Sequence, residues 1–378
     1  MLVVVPPGCA AHVSAATIVA GLPLLRRIVL AGARAGFDGI LVHPAAGPAE
    51  LVAGTLATPL GREATPQAWR RVVILPANVV PQPRWLRALR EVELALEAAW
   101  VDSSLTTVIE TEHPARILTA AGASRDADEV AAALRARPAA LSVAPAADGR
   151  FSLGTAADVP AAERWLLRSL VKQSEGFMSR HVERRISLAL TRRLVRTRVT
   201  PDAMTLVSVG IGLVGAPFFL SVSPAWQLTG ALLFLTHSIL DGCDGELARL
   251  KFLESRRGAI LDFWGDNLVH AAVFGCIAVG WSLASHAVWP LALGAVTIGC
   301  TLASAACVFR RTMLDVVPGA RAAATDRIAE AMAHRDFIYV VVALAALGHV
   351  DWFLLLAAAG SPIFLLLLLW VGAARRSA

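Results

Sequence analysis

The apolar residues of this chain follow two different rhythms. Up to about residue 160 they come as short runs: Leu2–Val5, Gly39–Val42, Val72–Leu75 and Ser142–Ala144, each with turn residues beside it. Runs of that length predict buried strands. Between them, Leu22–Ala35, Trp85–Trp100 and Ala127–Arg137 carry apolar positions at helical spacing. Strands alternating with helices of this size predict a layered α/β domain over residues 1–160 with a mainly parallel sheet. Met1 to Val5 lead straight into Pro6, Pro7 and Gly8, the pattern of a strand and its turn rather than of a cleaved leader.

Beyond residue 200 the apolar runs lengthen toward the ~20 residues that a bilayer-crossing helix needs. Six spans are expected, at 203–221, 226–247, 259–283, 287–309, 336–349 and 352–373. The loops support that count. Ser221–Ala225, Leu283–Val288 and Gly348–Asp351 contain no Lys or Arg. The loops and flanks of the other side carry Arg196, Arg198, Arg249, Lys251, Arg256, Arg257, Arg310, Arg311, Arg321, Arg327, Arg335, Arg375 and Arg376. The positive-inside rule then places both termini, the front domain and the basic loops in the cytoplasm, with the spans in the cell's inner (plasma) membrane. Residues 161–200 mix arginines with Trp165, Leu166, Phe177, Ile186 and Leu190, a basic amphipathic pattern expected on an anionic membrane face.

Composition agrees with this division. The 378 residues are 56% hydrophobic and 17% charged, and the mean hydropathy is +0.60. Disorder over most of the chain is excluded, and a plain soluble enzyme does not fit. The net charge of +6 comes almost wholly from arginine and is read as facing a bilayer; no nucleic-acid partner is expected. The five cysteines form no CxxC pair and no metal spacing, and are read as inert thiols.

Four carboxylates break the long apolar runs. Asp241 and Asp244 stand at i, i+3 near the end of the second span, and Asp262 and Asp266 at i, i+4 near the start of the third. Each pair lies on one helical face. A helical hairpin would gather them at one edge of the bilayer, where repulsion and desolvation forbid four free anions. Divalent cations resolve the conflict. All-oxygen ligation with no His or Cys ligand nearby points to Mg²⁺ or Mn²⁺, and four acids suit two ions about 3.5–4 Å apart, as in phosphoryl displacement. Gly242, Gly245, Ala248 and Gly258 leave room for a ligand against the backbone. A divalent-cation transporter is the competing class, but it would spread its acids over several helices near mid-membrane. No Ser-His or Cys-His pair suggests a covalent intermediate, and His270 is read as a core or lipid-interface residue rather than a catalyst.

The stretch Asp241-Gly-Cys-Asp244-Gly245-Glu-Leu-Ala248-Arg249, followed at fixed intervals by Gly258, Asp262 and Asp266, resembles the signature of the CDP-alcohol phosphatidyltransferase family, D-x2-D-G-x2-A-R-x8-G-x3-D-x3-D. The resemblance extends over roughly residues 175–376 and implies a six-helix membrane bundle at 201–378. It implies that Asp241, Asp244 and Asp262 bind one metal, and Asp241, Asp262 and Asp266 a second. Asp266 would also take the proton from the acceptor hydroxyl. Gly245, Ala248 and Gly258 would let the CDP-alcohol lie along the helices, Arg249 would pair with phosphate and Ser255 would contact the donor. Thr200-Pro201-Asp202-Ala203-Met204-Thr205 is similar to the family's T-P-N-x-x-T, with Asp202 replacing Asn; Asp202 and Thr205 would approach the nucleotide. The same segment also reads as a helix cap, Thr200 at N-cap and Pro201 at N1. The implied reaction is transfer of a phosphoryl-alcohol group to a hydroxyl acceptor with release of CMP, and the resemblance implies a homodimer.

In the front domain, Leu22-Pro23-Leu24-Leu25-Arg26-Arg27, Ala35–Val42 and Val72–Val80 resemble the frame of a sugar-nucleotide nucleotidyltransferase. The phosphate loop has no cation in Pro6-Pro7-Gly8-Cys9-Ala10-Ala11-His12, and no metal-binding Asp stands near Pro76-Ala77-Asn78. The expectation is a nucleotidyltransferase-like fold that has lost activity. The fused arrangement resembles enzymes that make CDP-inositol and join it to inositol phosphate, which points the acceptor toward a polyol or polyol phosphate and leaves a bifunctional cytidylyltransferase as an alternative. Arg310, Arg311 and Arg335 are the candidate acceptor-phosphate residues, with the positive-inside bias as their other explanation.

Overall fold

The computed structural model describes residues 1–61, 69–135, 149–171, 178–314 and 337–373. The chain divides into two compact units, Met1–Ser169 and Leu170–Ala378.

The first unit is built on a six-stranded sheet. Its spatial order is Ala57–Pro59, Ile40–Val42, Leu2–Val5, Arg71–Pro76, Thr107–Glu110, Ala99–Val101. Three junctions are parallel and two antiparallel, so the sheet is mixed, with the parallel part around the first strand. Leu2–Val5 is buried at every position, as a strand covered on both faces must be. Helices α1 (Leu24–Arg34), α2 (Pro83–Glu91), α3 (Pro114–Ala123), α4 (Ala127–Arg135) and α5 (Val159–Arg168) belong to this unit. One core packs Val3, Val5, Val72, Ile74 and Ile109 against Ile117, Val130 and Leu134. The expected strand Ser142–Ala144 lies outside the described residues.

The helix expected over Trp85–Trp100 stops at Glu91, and Ala99–Val101 is a strand. Propensity loses here to pairing. Glu97, with φ 61, turns the chain, and its carboxylate accepts from Thr111 Oγ1 (2.7 Å) and Glu112 N (3.0 Å). Those bonds dock the segment onto the sheet edge.

The segment 161–200, expected to lie on the membrane, is divided between the units. In α5, Ala162, Glu163, Leu166 and Leu167 are buried within the first unit. Glu163 accepts from Ala20 N at 3.0 Å. Buried Arg27 donates to Val19 O and Ala20 O at 3.0 and 2.9 Å. Burial lowers its guanidinium to about 10, opposed by the charge of Glu163, so Arg27 stays a cation and ties α1 to the loop that α5 covers.

The second unit is helical: α6 (Arg184–Leu194), α7 (Pro201–Gly215), α8 (Pro224–Lys251), α9 (Arg256–Ser285), α10 (Trp289–Phe309), α11 (Phe337–Ala346) and α12 (Val350–Ala373). Four of its helical stretches are long and apolar enough to cross a membrane: Pro201–Leu220, Arg256–Ser285, Trp289–Met313 and Val350–Trp370. Four of the six expected crossings thus meet both criteria among the described residues. Helix α8 has the length, with 28 residues, but Gln227, His237, Asp241, Asp244 and Glu246 lower its hydropathy. Helix α11 is apolar but has only 10 residues.

The core of this unit gathers Phe219, Phe234, Val273, Ile277, Val341 and Leu354. Helices α7 and α8 cross closely at Gly215 and Gly230; a Cβ on Gly230 would sit 3.0 Å from Gly215 O. Small residues at such crossings let backbones approach.

Candidate active site and metal centre

Helix α8 ends and α9 begins around a short turn, so the two antiparallel helices carry the four aspartates into one region. Thr200 caps α7, its hydroxyl accepting from Ala203 N at 3.3 Å with Pro201 following at N1. Ser255 caps α9, its Oγ accepting from Gly258 N at 2.9 Å. Lys251 Nζ donates to Thr197 O at 2.8 Å and to Val199 O at 3.3 Å, fixing the strand of chain that leads into α7. These caps and ties are local sequence features, and together they set the register of three helix ends.

Asp241, Asp244 and Asp262 converge. Each offers a carboxylate oxygen, and those atoms lie within 4.8 Å of one another, with Asp241 and Asp244 buried and Asp262 half-buried. Thr205 Oγ1 donates to Asp244 Oδ2 in a short hydrogen bond from α7. Asp262 Oδ1 is buried without a hydrogen-bond donor among the described residues. Carboxylates this close require compensating positive charge, and an all-oxygen set at this spacing suits a hard divalent cation. Asp266 stands one turn further along α9, outside that triplet, with Oδ1 3.5 Å from His237 Nε2.

A pocket of about 190 Å³ opens beside the triplet. Its wall includes Asp244 and Asp262 together with Asp202, Thr205, Gly245, Ala248, Arg249, Ser255 and Gly258. The structure thus brings the expected donor-site residues to one cavity. Arg249 has a buried Nε that meets no acceptor among the described residues, a cationic donor beside a carboxylate cluster. At Gly258 a Cβ would stand 2.9 Å from Asp202 Oδ1 and 3.1 Å from Ser255 Oγ, so the bare backbone keeps that wall open.

The expected acceptor arginines that the structure describes are not part of this wall. Arg311 Nη2 donates to Leu368 O at 2.8 Å, tying the end of α10 to α12. Neither Arg310 nor Arg311 lines the pocket, and Arg335 lies outside the described residues. His270 is half-buried and packs edge-on to Phe234 at 5.5 Å and near Phe337 at 5.8 Å.

Two further residues at the site carry a sequence signal that the spacing of the aspartates overshadowed. His237 precedes Asp241 by one helical turn and so shares its face. Glu246 is a fully buried carboxylate in an apolar helix. It accepts from Arg184 Nη1 (2.7 Å), Ser187 Oγ (2.7 Å) and Thr191 Oγ1 (2.6 Å) on α6. The buried face of α6 is therefore polar, and its exposed side holds Arg185, Ile186, Arg192 and Arg193.

An acidic triplet beside a cavity that a basic side chain also lines is a combination suited to a divalent cation and an anionic ligand. Residues 198–364 match the family model for CDP-alcohol phosphatidyltransferases, so the chain contains a domain of that family. Among curated proteins it resembles a bifunctional IPC transferase and DIPP synthase of Thermococcus kodakarensis, with 37% identity over 34% of this chain and 29% of that protein. A protein of the same name from Archaeoglobus fulgidus is 31% identical over 55% of this chain and 41% of that protein. A phosphatidylinositol phosphate synthase of Mycobacterium marinum is 35% identical over 26% of this chain and 42% of that protein. The chain spans less than half the length of these relatives.

Proposed function

We propose that the helical unit transfers a phosphoryl-alcohol group from a CDP-alcohol to a hydroxyl acceptor and releases CMP. The observation that carries this reading is the convergence of Asp241, Asp244 and Asp262, of which Asp244 and Asp262 line the cavity shared with Gly245, Arg249 and Gly258. In this reading two Mg²⁺ ions, or Mn²⁺, are held between α8 and α9, one by Asp241, Asp244 and Asp262 and the other by Asp241, Asp262 and Asp266. Bound there, the ions would neutralise the diphosphate and stabilise charge on its bridging oxygen.

The chain's own groups do the rest. Gly245, Ala248 and Gly258 present bare backbone to the donor, and Arg249 supplies an N–H to a phosphate oxygen. Thr205 holds Asp244 in place. Asp202 and Ser255 meet the donor at the same wall. Asp266 accepts the proton as the acceptor oxygen bonds to the β-phosphorus; the bond from that phosphorus to the CMP oxygen breaks, and CMP leaves with the electron pair.

The bundle is read as six crossings of a plasma membrane, with the acidic site, the basic loops and both termini on the cytoplasmic side. The names of the relatives direct the acceptor toward a polyol or polyol phosphate, with Arg310, Arg311 and Arg335 nearest in role. The front unit is read as a nucleotidyltransferase-like fold without catalysis.

Purified protein in Mg²⁺ with CDP-diacylglycerol or CDP-inositol tests the proposal when inositol phosphate, glycerol phosphate, serine and inositol are each offered. CMP should appear with one donor–acceptor pair, and Asp266→Asn should slow it by about 10²–10⁴-fold. Undiminished CMP release in Asp266→Asn removes the base. Cation flux without CMP from any pair replaces the transferase with a transporter.

A further inference from the structure

We propose that His237 is a positioning residue: its imidazole N–H fixes the carboxylate of Asp266, so that the base of the transfer reaction is held in one orientation. The inference rests on the reaction proposed above.

The helical hairpin arranges the site in rungs. Asp241 on α8 and Asp262 on α9 form part of the acidic triplet. One turn before Asp241 stands His237, and one turn after Asp262 stands Asp266. Because the two helices run antiparallel, these one-turn steps go the same way, and the second rung pairs imidazole with carboxylate. His237 Nε2 lies 3.5 Å from Asp266 Oδ1, an ion-pair distance that a small rotation of the carboxylate converts into a hydrogen bond, with the His237 side chain 3% and the Asp266 side chain 20% exposed.

The ring is held on both sides. Phe234, on the same helix, stacks with it at 6.1 Å and 18°. From α7, Gly212 presents bare backbone, and a Cβ there would stand 3.1 Å from His237 Cγ. Phe234 is itself fixed by His270 at 5.5 Å and Phe337 at 6.4 Å. A carboxylate rotates easily about its last torsion, and a donor from a clamped ring selects one rotamer. Outer partners of this kind orient ligating carboxylates, and their loss costs about 10–100-fold in activity or metal affinity.

The test compares His237→Leu, which removes the donor, with His237→Gln, whose amide retains one. CMP release is measured with the productive donor and acceptor, and Mn²⁺ affinity by electron paramagnetic resonance on the same full-length preparations. His237→Leu should lower kcat about 10–100-fold while changing KM for the CDP-alcohol less than about twofold. Its Mn²⁺ affinity should fall about 10-fold, and His237→Gln should recover a large part of both. The proposal is overturned if His237→Leu keeps wild-type kcat and Mn²⁺ affinity, or if His237→Gln is as impaired as His237→Leu. If His237→Leu does not fold, His237→Phe replaces it, an aromatic ring without a donor; wild-type values in that variant overturn the proposal as well. Wild-type protein that binds Mn²⁺ but releases no CMP would defeat the transferase reading, and the Mn²⁺ comparison would still decide the role of His237. Wild-type protein that neither binds Mn²⁺ nor releases CMP overturns both.

Discussion

The chain contains two places where a phosphate-bearing ligand could be expected, and they differ in who supplies the counter-charge. In the first unit, the sheet order reverses at Leu2–Val5, which lies between Ile40–Val42 and Arg71–Pro76. Doubly wound sheets bind ligands outside the carboxyl ends of their strands at such a switch point. Here that position is filled by the protein. Ala127 N donates to Pro6 O at 3.1 Å, and Cys9 N donates to Asp128 Oδ2 at 2.9 Å. A Cβ on Gly8 would lie 2.7 Å from that carboxylate and 2.8 Å from Leu105. Hydrogen bonding and charge from Asp128 also raise the Cys9 thiol above its ordinary value, leaving it a poor nucleophile. In the helical unit three carboxylates face one another beside a cavity, and the Thr205 hydroxyl that donates to Asp244 brings no charge. A turn whose N–H already holds the chain's own carboxylate offers an anion nothing, whereas a cluster of one sign calls for a partner of the other.

The largest effect should come from taking that partner away. Chelation with EDTA should abolish CMP release, and added Mg²⁺ should restore it. Asp262→Asn, which keeps the shape and removes one charge from the triplet, should cost about 10³-fold in kcat/KM. Full activity in EDTA would erase the contrast between the two sites.

Glu246 gives the next largest effect, on stability. It is a buried anion whose compensation is internal, as Asp128's is, but it lies only two residues from Asp244, on the side of α8 that faces α6. Glu246→Ala strands Arg184 and two hydroxyls and should destabilise the helical unit by about 3 kcal/mol. Glu246→Gln keeps hydrogen bonds and should cost about 1 kcal/mol. Thermal unfolding in detergent, followed by circular dichroism, measures both. Equal effects would mean that α6 is held by packing rather than by this carboxylate.

Gly258→Ala tests the open wall. The added methyl meets Asp202 and Ser255 at 2.9 and 3.1 Å, an overpacking worth about 1–2 kcal/mol. The expected reading is a roughly 10-fold lower kcat/KM for the donor, with the melting temperature lowered by only a few degrees.

What the sequence disclosed follows the range of the interactions involved. Local periodicity is enough to place Leu2–Val5, α1 and the long helices, because burial of one strand or stripe is written in neighbouring residues. The gathering of Asp241, Asp244 and Asp262 was legible for a related reason: i, i+3 spacing and a short turn leave little freedom. The strand at Ala99–Val101 was not, since the bonds that decide it reach from Glu97 to Thr111 and Glu112. His237 and Glu246 were hidden differently. Each lies on a readable helix, but its meaning depends on which residue of another helix faces it, Asp266 in one case and Arg184, Ser187 and Thr191 in the other. Spacing along one helix does not specify that register.

The smallest effect is expected at the front crevice. Asp128→Ala removes an exposed acceptor of one backbone N–H and should cost about 1 kcal/mol. CMP release by the helical unit should not change. The decisive measurement is pyrophosphate release from CTP with inositol phosphate as co-substrate. If the crevice is closed only by the Asp128 carboxylate, the variant should gain this activity. If the turn also lacks the cations that a triphosphate requires, as Pro6-Pro7-Gly8-Cys9 indicates, neither wild type nor variant should release pyrophosphate. The second outcome is expected, because freeing one N–H supplies a single hydrogen bond and no charge. Pyrophosphate from the wild-type protein would instead make the chain bifunctional and show that the crevice opens to admit CTP.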